Sequence, residues 1–318
     1  MPVTSSDPAA SPLLTADIVA DYMRARAAAR ASATLEEMRA FADSNAGEFP
    51  VPEGTHVEPT EAGGVPAEWH VPADVLQAGG GPDEGILLYL HGGAFLFGSP
   101  ASHRHLTAFL ARQCGLRCLS VDYRLIPEHP FPAALDDAHA AYHWALEQAG
   151  DASRIVLAGD SAGGGLAAAL MVRLRDEATP LPAAAYLMSP WTDMACDRPT
   201  SRTRRDDDPS IDPDSLREAG RVYLGGEPAE TPLASPVHAD VAGLPPTLIQ
   251  VGEREVLLDD ARDLASAMRR AGVAVRLDVW DRMVHVWQAL YPIFPEGERA
   301  LVQGGAFLRR HLEAARQG

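Results

Sequence analysis

The sequence predicts an α/β protein in which a mostly parallel sheet is covered by helices on both faces. Three observations predict it. Short apolar runs recur along the chain, the clearest being Ile86–Leu90 (ILLYL), continuous as in a strand buried on both faces. Helix-length patterns separate these runs, and strands alternating with helices make a parallel sheet. The chain shows no internal repeat, so the alternation is that of one sheet rather than of a stacked array.

Residues 1–12 are polar and proline-bearing and read as a tail. From Thr15 to Ala31, Ile18, Val19, Tyr22 and Met23 recur at helical spacing, with Thr15 placed to cap the first turn. Leu35–Phe41 reads as a second short helix. Residues 47–85 are rich in Gly, Pro and Glu, with one strand near Val65–Val71. After Ile86–Leu90, further strands are predicted at Arg117–Val121, Arg154–Ala158, Ala183–Met188, Thr247–Val251 and Val273–Trp280. Helices are predicted between them at His103–Gln113, Ala133–Gln148, Gly164–Glu177 and Asp259–Ala271, with a last one over Glu298–Arg316. One segment breaks the alternation. Ala195–Val237 holds RRDDDPSIDP and then an amphipathic stretch, Leu216–Leu224. It is too long for a tight connection, and its apolar residues Leu216, Val222, Tyr223 and Leu224 favour a helical insertion over the sheet edge. The organisation that follows is 1–45 as N-terminal helices, 46–194 as the first part of the core, 195–237 as the insertion and 238–318 as the second part.

Composition bounds the chemistry. The chain has 318 residues, 46% of them hydrophobic, and a net charge of −17. That acidity disfavours nucleic acid and anionic membranes as main partners. There is no lysine; all 27 cations are Arg. A Walker A loop, a Schiff-base or pyridoxal enzyme and a serine–lysine hydrolase each need the missing amine. Cys114, Cys118 and Cys196 form no disulfide framework and complete no zinc site by spacing, so they read as buried thiols. No signal peptide is visible at the N-terminus and no apolar run reaches the length of a membrane span, which predicts a cytoplasmic protein without stable membrane insertion.

Gly159-Asp160-Ser161-Ala162-Gly163 follows a predicted strand and opens a predicted helix. This is G-x-S-x-G in strand–turn–helix context, a sharp turn that lifts the Ser hydroxyl above the carboxyl ends of the strands. The helix N-terminus aims N–H groups and positive dipole where an oxyanion would form. His91-Gly92-Gly93-Ala94-Phe95 follows Ile86–Leu90, and its tandem Gly lets backbone N–H groups approach a ligand. Ser161 then needs a base and an acid, in the chain order Ser, acid, His. Beyond Ser161 stand His238, His285 and His311. Only His285 follows the last strand; His238 precedes the last two strands and His311 sits among charges in the terminal helix. For the acid, Glu253, Glu255, Asp259 and Asp260 all follow Thr247–Val251, and position alone does not choose among them.

At this point the chain resembles the hormone-sensitive lipase family of α/β-hydrolases, the bacterial esterase family IV, from about residue 80 onward. The resemblance rests on HGGAF at 91–95, DYRLIPEHPFPAALDDA at 122–138, GDSAGG at 159–164, SPWTD at 189–193, LASPVHADVAGLPPTLIQVGE at 233–253 and MVHVW around His285. It implies an α/β-hydrolase fold with an eight-stranded, mostly parallel sheet and a helical cap made of the N-terminal helices and the insertion. It implies carboxylester hydrolysis with no cofactor and no metal. Carried over by position, Ser161 is the nucleophile, His285 the base and Glu255 the acid, although the family's D-P-L-x-D reads Glu255-Val256-Leu257-Leu258-Asp259 here. The oxyanion N–H groups fall to Gly93, Ala94 and Ala162, with Gly92 beside them. Ala94 replaces the usual third Gly. Asp122, Tyr123 and Arg124 read as a structural brace for this loop. Phe95, Phe97, Trp191 and Trp287 are candidates to line the substrate pocket.

The expected activity is a serine carboxylesterase acting on short- to medium-chain esters. Lactones or bulky natural-product esters are the alternative on the same triad. A non-catalytic small-molecule receptor is the rival from another class, disfavoured because Ser161, an acid and His285 are all present. The expected partners are a small-molecule ester and, as an option for assembly, a second copy in a homodimer.

Overall fold

The structure is a computed structural model and describes residues 15–30, 32–44, 48–77, 79, 81 and 84–317. The tail read over residues 1–12 lies outside them. Ile86–Leu90 forms β3, buried at all five positions. It pairs in parallel with β4 (Arg117–Val121) on one side and β5 (Ile155–Asp160) on the other. Beyond β5 the sheet continues in parallel through β6 (Ala184–Met188), β7 (Thr247–Gly252) and β8 (Val275–Trp280). Beyond β4, β1 (Thr55–Ala62) and β2 (Val65–Pro72) add an antiparallel hairpin, giving the order β1-β2-β4-β3-β5-β6-β7-β8. The chain winds one way from β3 to β4 and the other way from β5 onward. This switch point leaves a crevice at the carboxyl ends of β3 and β5, where open α/β sheets bind ligands.

Side-chain alternation sorts β3 between two cores. Leu87 and Tyr89 face Leu106 and Leu110 of α4 (Pro100–Cys114) and Leu301 and Leu308 of α10 (Pro295–Ala315). Ile86, Leu88 and Leu90 face the other layer, with Leu135 of α5 (Ala133–Ala149), Leu166 of α6 (Ala162–Asp176) and Leu264 of α9 (Leu258–Arg270).

Among the described residues two helices precede the sheet, α1 (Ala16–Arg30) and α2 (Leu35–Ser44). Thr15 caps α1 through the Ile18 N–H, at 3.4 Å. Val19 and Ala20 of α1 are buried against Met283, Val284, Trp287 and Phe294. The short helix α3 (Ala73–Gln77) follows β2. In the insertion, α7 (Pro199–Thr203) and α8 (Pro213–Leu224) appear. α8 starts at Pro213 behind the Asp212 cap, whose carboxylate accepts the Ser215 N–H at 2.9 Å. Its Leu216, Tyr223 and Leu224 join the core under α5 and α6, while Val222 is only partly buried. The hairpin corrects the expectation of one strand over residues 47–85. β1 is an edge strand with a mostly exposed face, so polar residues and Pro59 are tolerated there and the apolar alternation is weak.

Candidate active site

Ser161 sits between the last residue of β5 and the first of α6, with φ 53 and ψ −121. A non-glycine residue at positive φ is strained, and here the surroundings impose it. The Ser161 N–H donates to Met188 O at 2.8 Å, and its carbonyl accepts from Trp191 N at 2.9 Å. The flanking Gly163 is needed for close approach: a Cβ there would run into the carbonyls of Leu90 and His91. The turn is therefore packed directly against the end of β3.

His285 lies five residues beyond β8, in a loop joined to the one after β7. Glu253 N–H donates to Trp280 O at 2.9 Å and Arg254 N–H to Met283 O at 3.2 Å. This pairing brings three side chains into line. His285 Nε2 is 2.9 Å from Ser161 Oγ, and His285 Nδ1 is 2.9 Å from Glu255 Oε2. The second Glu255 oxygen, Oε1, accepts from Ser189 Oγ at 2.7 Å and from the Gly252 N–H at 2.5 Å. Glu255 is fully buried, and Ser161 and His285 are 7% and 8% exposed, so the relay is almost closed to bulk water while the hydroxyl stays reachable. Burial on its own would lower the His285 pKa. The Glu255 carboxylate outweighs it through its hydrogen bond and charge, with Asp208 and Asp160 adding to the effect, and the net shift is upward.

The other carboxylates are committed elsewhere. Asp259 accepts Thr200 N–H at 3.1 Å, Asp260 accepts Thr192 and Asp193 N–H at 2.9 and 3.0 Å, and Glu253 faces the Arg282 N–H at 3.3 Å. His238 lies 3.7 Å from Asp193, and the His311 ring packs on Phe307.

The loop after β3 carries Gly93 (φ 120), Ala94 (φ 54) and Phe95 (φ 60). Among the described residues, the Gly93 and Ala94 N–H groups meet no acceptor, and the Ala162 N–H opens α6, where no intrahelical partner exists. Ala94 keeps the left-handed turn that the usual glycine would supply, at a cost in backbone strain. Gly92 is different. Its N–H donates to Asp160 Oδ1 at 3.0 Å, so it braces the loop and has no N–H to offer an oxyanion.

Asp160 is a residue that the motif contains but whose role spacing does not reveal. Its Oδ1 accepts from Tyr89 Oη at 2.7 Å as well as from Gly92, and lies 3.4 Å from His103 Nε2. Burial pushes its carboxyl up, but the nearby His103 together with these donors pulls it lower still, so it stays ionised. Tyr123 Oη donates to His91 O at 2.5 Å and its ring stacks on His91 at 4.2 Å, while Arg124 pairs with Asp137. Asp208, from residues 195–237, accepts the Val256 N–H at 2.9 Å, next to Glu255.

The pocket aromatics fall differently from the expectation. Trp191 and Trp287 are fully buried and Phe95 nearly so. Trp191 donates to Asp193 O at 2.8 Å, Trp287 packs in the cluster under α1, and Phe95 stacks on Tyr223 of α8 at 3.9 Å. They are core rings, and Phe95 ties the loop after β3 to α8. Phe97 alone is half-buried, with its N–H on Gly93 O at 3.1 Å.

The sequence model of the alpha/beta hydrolase fold family matches residues 87–289. An acetyl-hydrolase of Streptomyces hygroscopicus is 48% identical over 263 residues, covering 83% of this chain and 85% of that one. The crystal structure of an esterase from the bacterial hormone-sensitive lipase family is 43% identical, with a TM-score of 0.87, over 93% of this chain and 98% of that one. The crystal structure of EstE5 soaked with p-nitrophenyl butyrate is 38% identical, with a TM-score of 0.88, over 96% and 100%. Sheet order, the turn at Ser161 and these similarities agree: the chain belongs to the alpha/beta hydrolase fold family, among the esterases of the bacterial hormone-sensitive lipase family.

Proposed function

We propose that this chain is a serine carboxylesterase for short- to medium-chain esters, with Ser161, His285 and Glu255 as its triad. The observation that carries the reading is the unbroken hydrogen-bonded line from Ser161 Oγ through His285 to Glu255. In this reading His285 Nε2 takes the Ser161 proton as Oγ attacks the ester carbonyl. The N–H groups of Gly93, Ala94 and Ala162 receive the developing oxyanion. His285 returns the proton to the leaving alcohol. Water then attacks the acyl-enzyme, with His285 again as base, and frees the acid and Ser161. The names of the acetyl-hydrolase relative and of the p-nitrophenyl butyrate soak support a short acyl group. The helices α1 and α2 and the 195–237 insertion form the cap over the crevice.

Among the described residues no helix is long and apolar enough to cross a membrane, and the three cysteines are free and buried. Free thiols suit a reducing compartment, and we place the enzyme in the cytoplasm.

The test is Ser161→Ala. Triad members act as a unit, so turnover of a p-nitrophenyl ester should fall by on the order of 10⁶. A fluorophosphonate probe should label the wild type and not the variant. Residual turnover above about a tenth of wild type, or labelling that survives the substitution, overturns the assignment. A wild type that takes no label revives the receptor reading.

A further inference from the structure

Among the described residues, one group of three side chains brings metal-ligating atoms together: His139, His143 and Glu177. It lies outside the triad. His139 and His143 stand four apart on α5, so one helical turn puts both imidazoles on the same face. Glu177 is the residue that ends α6. His139 Nε2 lies 3.1 Å from His143 Nε2 and 2.6 Å from Glu177 Oε2, and the donor atoms all fall within 4.8 Å of one another.

The arrangement is awkward without a cation. His139 Nε2 has two close polar neighbours. In a neutral imidazole it can either donate its one N–H to Glu177 or accept from a His143 N–H and turn a lone pair on the carboxylate, so one of the two contacts goes unmet. It is favourable with one. A tetrahedral ion with bonds of about 2.0–2.1 Å holds its ligand atoms about 3.3 Å apart. The two nitrogens already stand near that spacing, and an oxygen of the half-exposed Glu177 lies within 4.8 Å of both. Glu177 is also oriented from behind. Arg173 Nε holds its other oxygen, Oε1, at 3.0 Å, and Arg173 Nη1 is itself fixed to Asp136 at 2.6 Å. Such outer partners typically aim a carboxylate at a metal.

The geometry points to a binding site for a divalent first-row transition ion, Zn²⁺ above all, held by His139 Nε2, His143 Nε2 and Glu177 Oε2 with water completing the shell. Two imidazoles and one carboxylate select such an ion over Mg²⁺ or Ca²⁺, which prefer all-oxygen shells. The site is remote from the ester chemistry. Ser161 precedes α6 and Glu177 ends it, so the 15-residue helix separates them by about 22 Å. A bound ion would tie α5 to the end of α6 and act on stability, since a ligand that binds only the folded state raises its melting point.

The experiment is calorimetric titration of the full chain, free of any polyhistidine tag, with zinc chloride. The expected result is one ion bound per chain at this site and a higher melting temperature with zinc. His143→Gln and Glu177→Gln should each weaken binding at least about tenfold, since even outer-shell partners are worth that much. His139→Gln with His143→Gln should remove the site. With Cu²⁺ as probe, electron paramagnetic resonance should show two imidazole nitrogens in the wild type and one in His143→Gln. Ester turnover should not change in any of these variants or in EDTA. No zinc binding by the wild type, or a double variant that binds zinc with the same stoichiometry and affinity, overturns the proposal.

Discussion

Glu255 uses both of its carboxylate oxygens, one on His285 Nδ1 and the other on Ser189 Oγ and the Gly252 N–H. The second set fixes the carboxylate so that the first can fix the imidazole. Glu255→Gln keeps the shape but mis-sets the His285 tautomer and leaves the imidazolium without its counter-charge. We expect kcat/KM to fall by up to about 10⁴-fold. Glu255→Asp draws the carboxylate back by on the order of 1 Å and should cost up to about 10²-fold. Asp259→Asn should stay near wild type, because Asp259 holds Thr200 and Arg262 rather than His285. Kinetics of the three variants on one short ester decide it; a crippled Asp259→Asn beside a healthy Glu255→Gln would move the acid. The pH profile gives a second reading. Base catalysis needs neutral imidazole, and the His285 pKa is raised, so activity should be lost as pH falls through a value above about 6.5. In Glu255→Gln the lowering effect of burial remains without its main opponent, and the acid limb should move to lower pH. A limb that does not move would mean that another group titrates.

At the scale of elements, the N-terminal helices are latched to the loops that carry Gly93, Glu255 and His285. Arg39 of α2 donates from Nε to Leu96 O and from Nη2 to Ile126 O, both at 2.9 Å, and pairs with Glu128 at 2.7 Å. Leu96 and Phe97 in turn donate to Gly93 O. Asp17 of α1 pairs with Arg254, next to Glu255, and with Arg282, three residues before His285. Arg39→Ala should loosen the oxyanion loop and lower kcat, by up to about 10²-fold for a displacement near 1 Å. Arg39→Lys should not restore it, since one ammonium cannot reproduce the guanidinium fork. Steady-state kinetics beside circular dichroism would check this; an unchanged kcat in a folded Arg39→Ala variant would show that the latch does not position the loop. None of this was legible in the sequence, because Arg39 and Leu96 are joined by folding and not by any local pattern. The alternation of buried strands and helices was legible, since the interior parallel strands β3, β5, β6 and β7 are buried on both faces, although β8 at the parallel edge is not. β1 was not, because an edge strand carries no such demand. The same contrast holds in the site. The turn at Ser161 imposes glycines that can be read off the chain, whereas position alone leaves four nearby carboxylates open. Only the family resemblance singles out Glu255, an assignment that its 2.9 Å approach to His285 Nδ1 supports. Trp191, Trp287 and Phe95 stand next to catalytic motifs, but their rings turn into the core. The His139–His143 pair gains its third ligand only because α6 ends beside α5.

For the molecule as a whole, buried ionisable groups set the response to acid, and they pull in opposite directions. His91 and His105 are buried, and burial pushes them down to about 3 and about 4. Their folded pKa values lie below the unfolded value of about 6.5, so the stability they contribute is present above that pH and is lost as pH falls through it. Asp208 and Asp260 are buried too, and burial pushes them up to about 6 and about 7. Their folded values lie above the unfolded value of about 3.9. The stability they contribute is therefore present below that pH and is lost as pH rises through their folded values. Between about pH 6 and 4 the two sets oppose, and the melting temperature should change little. Below about pH 4 the aspartates no longer compensate. Glu68 is held down to about 2, where its pairing with Arg104 and His70 overcomes the upward push of burial, and it then joins the histidines, so the fall should be steep. Asp260→Asn isolates one member. Asn keeps an oxygen for the Thr192 and Asp193 N–H groups but removes the cost of ionising a buried acid. Calorimetric melting of both proteins from about pH 8 to pH 4 should show the variant at its best relative to wild type at the alkaline end. Its relative melting temperature should decline as pH falls, because only the wild type gains stability by taking up that proton. A difference that stays flat across this range would mean that Asp260 does not titrate there and that the compensation has another source.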